Sequence, residues 1–210
     1  MNIDLQTKLY CLLGSHSEFR TPNSALRMAM DLPEGFPAEV VERAKRVEAL
    51  VLDVDGVLTD GRVIYDEFGD ELKCFDIQDG TGLVLWHRVG LASAIITGRK
   101  TKLVQRRAKD LHVGFVAQKA LNKLPVYEKL IRKRRLSHEQ VCAIGDDLID
   151  LPLLRRVGFA VAVSNAVDEV KQASHYVTTR PGGRGAVREV IDIILKCKEL
   201  WNNAVEIYYV

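Results

Sequence analysis

The chain has 210 residues, of which 47% are hydrophobic and 28% charged, and a net charge of +2. That length holds one sizeable core and a small extension rather than two full domains, and the interspersed charge excludes a whole-protein footprint for nucleic acid or membrane. Cys11, Cys74, Cys142 and Cys197 are far apart and form no zinc pattern, which fits a reduced, cytoplasmic setting; the start lacks a signal-peptide pattern and no apolar run is long enough to span a bilayer.

Residues 1 to about 36 have mixed polarity, a turn signal at Thr21-Pro-Asn-Ser24 and prolines at 33 and 37, and read as a poorly ordered extension, with Met28 and Met30 leaving a later start open. Pro37 suits the first helical position, so Ala38 to Val47 is expected as a short helix leading into the strand that starts at Leu50. Two β-like runs, 62–65 and 71–75, flank a glycine-containing loop and predict a hairpin. Thereafter strands at 91–96, 113–117, 141–144, 159–163 and 175–177 alternate with helices at about 80–89, 101–110, 123–135, 148–156, 166–172 and 185–200. Short, wholly apolar strands between amphipathic helices indicate an α/β fold, a three-layer doubly wound parallel sheet spanning 37–200 with residues 201–210 as a tail.

In such sheets ligands bind beyond the carboxyl ends of the strands, and the suspicious polar clusters all fall there. Asp53 and Asp55 end the first apolar run, Thr97-Gly-Arg99 follows the second, Lys123 opens a helix, and Gly145-Asp146-Asp147-Leu-Ile-Asp150 follows Val141 to Ile144. Buried carboxylates need positive compensation, which points to a divalent cation, and an all-oxygen donor set points to Mg²⁺. The cluster suits phosphoryl transfer, which demands dense positive charge and an aligned nucleophile. Thr97 and Lys123 are placed to take phosphoryl oxygens and Asp53 with Asp146 to hold the metal. Asp53 is the candidate nucleophile and Asp55 the candidate acid and base. Each element also has a plainer reading. Asp146 and Asp147 suit a helix cap, Thr97-Gly-Arg99 an ordinary turn, and Lys119 lies close enough to compete with Lys123.

With these motifs in order, the chain resembles the haloacid-dehalogenase superfamily of phosphatases over roughly residues 47–195. Within it, Asp53-Val-Asp-Gly-Val-Leu-Thr-Asp-Gly61, the hairpin, Asp79-Gly-Thr-Gly82, Thr97-Gly-Arg99, Asn122-Lys123, Gly145 to Pro152 and Gly182 to Glu189 are similar to the 3-deoxy-D-manno-octulosonate 8-phosphate phosphatases. The resemblance implies a Mg²⁺-dependent phosphatase of lipopolysaccharide precursor synthesis with Asp53 as nucleophile. It makes Asp55 acid, base and a metal ligand through its carbonyl, and Asp146 a metal ligand, with Asp147 and Asp150 in support. Thr97 and Lys123 are assigned to the phosphoryl group, and Arg99 and Arg184 to the anionic substrate or the subunit interface. Related enzymes act on nine-carbon sugar-acid phosphates, so the exact sugar stays open.

The spacing from Asp55 to Thr97, and from Lys123 to Asp146, leaves no room for an inserted cap domain. An open site suits either a macromolecular substrate, such as a nucleic-acid end, or neighbouring subunits that supply a lid. Members of the resembled family are tetramers joined through their hairpins, and a homotetramer is expected here, without nucleic-acid or membrane partners. The tail from Trp201 is expected either over a neighbouring site or against its own domain. A non-catalytic receiver domain uses similar residue types, but its acidic pair precedes the phosphorylated aspartate, the reverse of the order here.

Overall fold

A computed structural model describes Leu32 and residues 35–209. The expected extension over residues 1–36 therefore lies outside the described residues except at Leu32, Gly35 and Phe36. Leu32 and Phe36 pack against the core, and the Phe36 ring stands 5.9 Å from that of Tyr176.

In chain order the elements are α1 (Ala38–Arg46), β1 (Ala49–Leu52), β2 (Ile64–Tyr65), β3 (Glu71–Leu72), α2 (Ile77–Arg88), β4 (Ala92–Ile96), α3 (Lys102–Asp110) and β5 (Phe115–Ala117). They continue with α4 (Lys123–Arg134), β6 (Val141–Gly145), α5 (Leu151–Leu154), β7 (Phe159–Ala162), α6 (Asp168–Gln172), β8 (Tyr176–Val177), α7 (Ala186–Cys197) and α8 (Trp201–Val205). Six strands form one parallel sheet in the order β5-β4-β1-β6-β7-β8, and β2 pairs antiparallel with β3 as a separate hairpin. Every residue of β1, β6 and β7 is buried, as a sheet covered on both faces requires. On one side α7 packs against α1 and α2, with α8 set on α2 and α7; elsewhere α4 packs with α5. Among the described residues no cap domain interrupts the sequence of strands and helices.

The differences from expectation are local. Helix α2 begins at Ile77, several residues earlier than its periodicity suggests. Asp76 caps it by accepting from Gln78 N at 2.6 Å and Asp79 N at 3.0 Å, and Gly80 and Gly82 lie inside the helix. Gly82 is needed for contact rather than for a turn, because a Cβ there would stand only 3.1 Å from Arg188 Cδ and 3.2 Å from Ile191 Cδ1 of α7. The expected helix 148–156 divides into a 3₁₀ turn, Leu148–Asp150, and α5. The expected helix 185–200 stops at Cys197, and the start of the tail forms α8, with Ala204 and Val205 buried and Arg88 Nη1 donating to Ala204 O at 2.6 Å.

Candidate active site

Strand register brings the site together. Leu52 of β1 pairs with Ile95 of β4 on one side and Ile144 of β6 on the other, so the residues that follow emerge side by side at one sheet edge. These are Asp53, then Thr97 beyond Ile96, and Asp146 beyond Gly145. After Asp53 the chain turns sharply, with Val57, Leu58 and Thr59 amides all donating to Val54 O at 2.9–3.3 Å. The Thr59 hydroxyl accepts from Gly56 N at 3.4 Å and Gly61 N at 3.3 Å, which shapes the loop from within. Gly56 has φ +97°, and a Cβ there would overlap the Asp146 carboxylate, so the absence of a side chain lets the two loops meet.

Lys123 stands at the centre, with its side chain 1% exposed. Its Nζ donates to Asp150 Oδ1 at 2.6 Å and pairs with Asp53 Oδ1 at 2.8 Å. Burial alone would depress this ammonium, but the Asp53 and Asp150 carboxylates overcome that and hold it above its ordinary value. Lys119, its competitor on sequence grounds, is exposed. Asp150 is fully engaged: besides Lys123, it accepts from Asp146 N at 3.0 Å and Asp147 N at 3.4 Å through Oδ2. Asp147 is exposed and caps the 3₁₀ turn through Leu148 N at 2.7 Å, the plainer role weighed for it above. Thr97 is buried at the end of β4.

Asp53, Asp146 and Asp150 each offer a carboxylate oxygen, all within 4.8 Å of one another. Three carboxylates share one ammonium, which leaves two negative charges. Burial, then the neighbouring Asp150 and Asp53 carboxylates, push Asp146 up to about 8, and burial also raises Asp53 against the pull of Lys123. Asp146 Oδ1 is buried and accepts no hydrogen bond, Asp53 Oδ1 meets only the Lys123 ammonium, and both Asp150 oxygens are taken. A buried Asp146 oxygen without a partner, in a cluster with more carboxylates than cations, fits a Mg²⁺ ion held by Asp53 and Asp146.

The arrangement includes two residues that sequence reasoning missed. Lys73, with its side chain 1% exposed, pairs with Asp55 Oδ1 and lies 3.1 Å from Glu71 Oε1; Glu71 Oε1 in turn lies 2.9 Å from Arg99 Nη2. Glu71 and Lys73 are two apart in extended chain and so share one face, an opposite-charge pair that was the available signal. Arg99 therefore joins the site through Glu71, with its own side chain 40% exposed. Arg184 is not brought to the carboxylate cluster. It lines a separate open cleft of about 610 Å³ with Asp60, Cys74, Asp76 and Gln78. Its loop nevertheless abuts the site loop: Gly183 N donates to Val57 O at 2.9 Å, and neither Gly182 nor Gly183 has room for a Cβ against residues 56–60.

With this geometry in place, comparison with known proteins is informative. The model of the haloacid dehalogenase-like hydrolases matches residues 100–191. The 3-deoxy-D-manno-octulosonate 8-phosphate phosphatase of Yersinia pestis is 42% identical over 161 residues, covering 77% of this chain and 86% of its own. A probable YrbI-family phosphatase of Pseudomonas syringae superposes with a TM-score of 0.81 at 42% identity, covering 83% of this chain and 99% of that one. The Moraxella catarrhalis 3-deoxy-D-manno-octulosonate 8-phosphate phosphatase, solved with magnesium, phosphate and the KDO sugar acid, gives 0.77 at 40% identity over 81% of this chain and 97% of that one. A common fold and this identity over most of the length have one explanation: the chain belongs to the haloacid dehalogenase-like hydrolases, in the family of the 3-deoxy-D-manno-octulosonate 8-phosphate phosphatases.

Proposed function

We propose that this chain is a Mg²⁺-dependent phosphatase that hydrolyses 3-deoxy-D-manno-octulosonate 8-phosphate to the free sugar acid and phosphate, in lipopolysaccharide precursor synthesis in the cytoplasm. The observation that carries the reading is the buried cluster in which Lys123 touches both Asp53 and Asp150, while a buried Asp146 oxygen within reach of both carboxylates has no partner. The relatives named above supply the substrate.

In this reading Asp53 and Asp146 hold the ion, together with the main-chain carbonyl of Asp55. When bound, Mg²⁺ draws charge from the phosphoryl oxygens and lets an anionic nucleophile approach an anionic ester. An Asp53 carboxylate oxygen attacks phosphorus as the bond to the sugar oxygen breaks, and Asp55 gives its proton to that oxygen. The aspartyl-phosphate left on Asp53 is then opened by water, which surrenders a proton to Asp55 and releases phosphate. Lys123 and the Thr97 hydroxyl balance the phosphoryl charge, while Asp150 keeps Lys123 aimed at Asp53. Arg99 faces the sugar-acid carboxylate.

The hairpin supports a homotetramer. It exposes Val63, Ile64, Tyr65, Phe68 and Leu72, with Phe68 84% exposed, and an isolated two-stranded hairpin is marginal in water. Neighbouring hairpins would cover this surface and roof the open site. A monomeric mass by light scattering at working concentration would remove that part of the reading.

Phosphate release with and without Mg²⁺ tests the whole, across eight- and nine-carbon sugar-acid phosphates, simple sugar phosphates and phosphorylated oligonucleotides. The expected result is Mg²⁺-dependent turnover that prefers the eight-carbon acid and is abolished by Asp53→Asn. Preference for the nine-carbon acid or for oligonucleotides would reassign the substrate.

A further inference from the structure

We infer that Lys73 is a positioning residue for the proton transfer, delivered by the hairpin to aim the Asp55 carboxyl at the leaving oxygen. The inference rests on the phosphatase reading above and deepens it.

Among the described hydrogen bonds, Lys73 is the single side-chain partner of Asp55. Asp53 and Asp150 are both anchored by Lys123, but Asp55 follows the end of β1 by several bonds and nothing from its own loop fixes its side chain. Lys73 arrives from a different segment, 18 residues further on. It is held in turn: its ammonium is buried between Asp55 and Glu71, and Glu71 is pinned from outside by Arg99. With Asp55 ionised, two carboxylates and two cations alternate along this row; once Asp55 is protonated, its Oδ1 can still accept from Lys73 while the proton sits on the other oxygen.

Proton transfer needs its donor within hydrogen-bond reach of the leaving oxygen, and a displacement of about 1 Å costs on the order of 10²-fold. The electron pair of the breaking phosphorus–oxygen bond goes to the sugar oxygen, which takes the Asp55 proton; Lys73 itself exchanges no proton and forms no bond. The placement of the hairpin and the aim of the acid are therefore one variable.

A leaving-group comparison separates this role from a structural one. An alkyl oxygen leaves poorly without a proton, whereas the phenolate of p-nitrophenyl phosphate leaves readily without one. For Lys73→Met the expected kcat/KM loss is on the order of 10²-fold on the eight-carbon sugar-acid phosphate and under about threefold on p-nitrophenyl phosphate. Asp55→Asn is expected to lose at least as much on the sugar-acid phosphate and, because Asp55 also takes the proton of the hydrolytic water, to lose turnover on p-nitrophenyl phosphate too; on the sugar-acid phosphate the double variant should lose no more than Asp55→Asn alone, and Lys73→Arg should recover part of the loss. Should Lys73→Met not fold, the charge-balanced Lys73→Met/Glu71→Gln pair carries the same comparison. Equal losses on both substrates for Lys73→Met, or a double variant that loses the product of the single effects, overturns the positioning role while leaving the phosphatase reading intact. Wild-type protein that releases no phosphate from either substrate overturns both.

Discussion

Replacing Lys123 by Met removes the charge on which the cluster depends while keeping a flexible side chain of similar length. In the folded protein the substitution strands Asp53 and Asp150, whose oxygens lie 2.8 and 2.6 Å from Nζ, beside a third carboxylate at Asp146. Breaking a buried ion pair by deleting one partner costs roughly 3–5 kcal/mol, because the remaining charge stays desolvated. For a chain of this size that corresponds to a fall in Tm of roughly 6–20 °C. Thermal unfolding at neutral pH, without added metal, measures it directly. Adding Asp150→Asn to Lys123→Met removes one of the stranded charges, so the double variant should be about 1–3 kcal/mol more stable than Lys123→Met alone. Asp150→Asn in the wild-type background should instead be destabilising. A Lys123→Met loss below about 1 kcal/mol, or a double variant that is the sum of the two single losses, would refute the argument that one ammonium holds this cluster together.

Three further outcomes follow from particular contacts. Gly56→Ala, at φ +97° and against the Asp146 carboxylate, should displace that carboxylate and reduce Mg²⁺-dependent turnover on the order of 10²-fold, with a higher Mg²⁺ requirement in a metal titration. Asp79 is buried in α2 and accepts from Arg188 N at 2.8 Å and Gly185 N at 3.3 Å, yet burial raises it from 3.8 to about 6. An acid raised on folding binds more protons folded than unfolded between those values, so its contribution to stability falls as pH rises from about 4 to 6. Asp79→Asn cannot ionise and should gain on wild type by on the order of 3 kcal/mol between pH 4 and pH 7 in denaturant unfolding; a gap independent of pH would contradict this. Truncation after Leu200 removes buried Ala204 and Val205, Trp201 and the Arg88 contact, and should lower stability by roughly 3 kcal/mol, whereas an unchanged Tm would show that α8 does not hold its own domain.

The sheet was legible because its strands are short, apolar and bounded by turn residues, and a strand covered on both faces has few other ways to read. Boundaries were less legible where two signals competed. In α2 the helix was expected from about residue 80, while Asp76 caps it at Ile77 and Gly82 lets it approach α7. In 148–156 Asp147 caps only a 3₁₀ turn, because Asp150 folds back to Lys123 and to the Asp146 and Asp147 amides.

Position along the chain was enough to place Asp53, Thr97 and Asp146 at one edge, because each follows directly on a strand and parallel strands end together. The choice between Lys119 and Lys123 belonged to the tertiary structure, which exposes the first and buries the second against two carboxylates. The same holds for Arg184, whose glycine loop reaches the site loop while its side chain lines another cleft. Lys73 shows the division most clearly: its alternation on a hairpin told only that it shared a face with Glu71, and which carboxylate it would meet depended on where the hairpin folded back. Local order in the chain specifies what a strand end presents, but a long-range ion pair is specified only once packing has removed the water that would otherwise satisfy both charges.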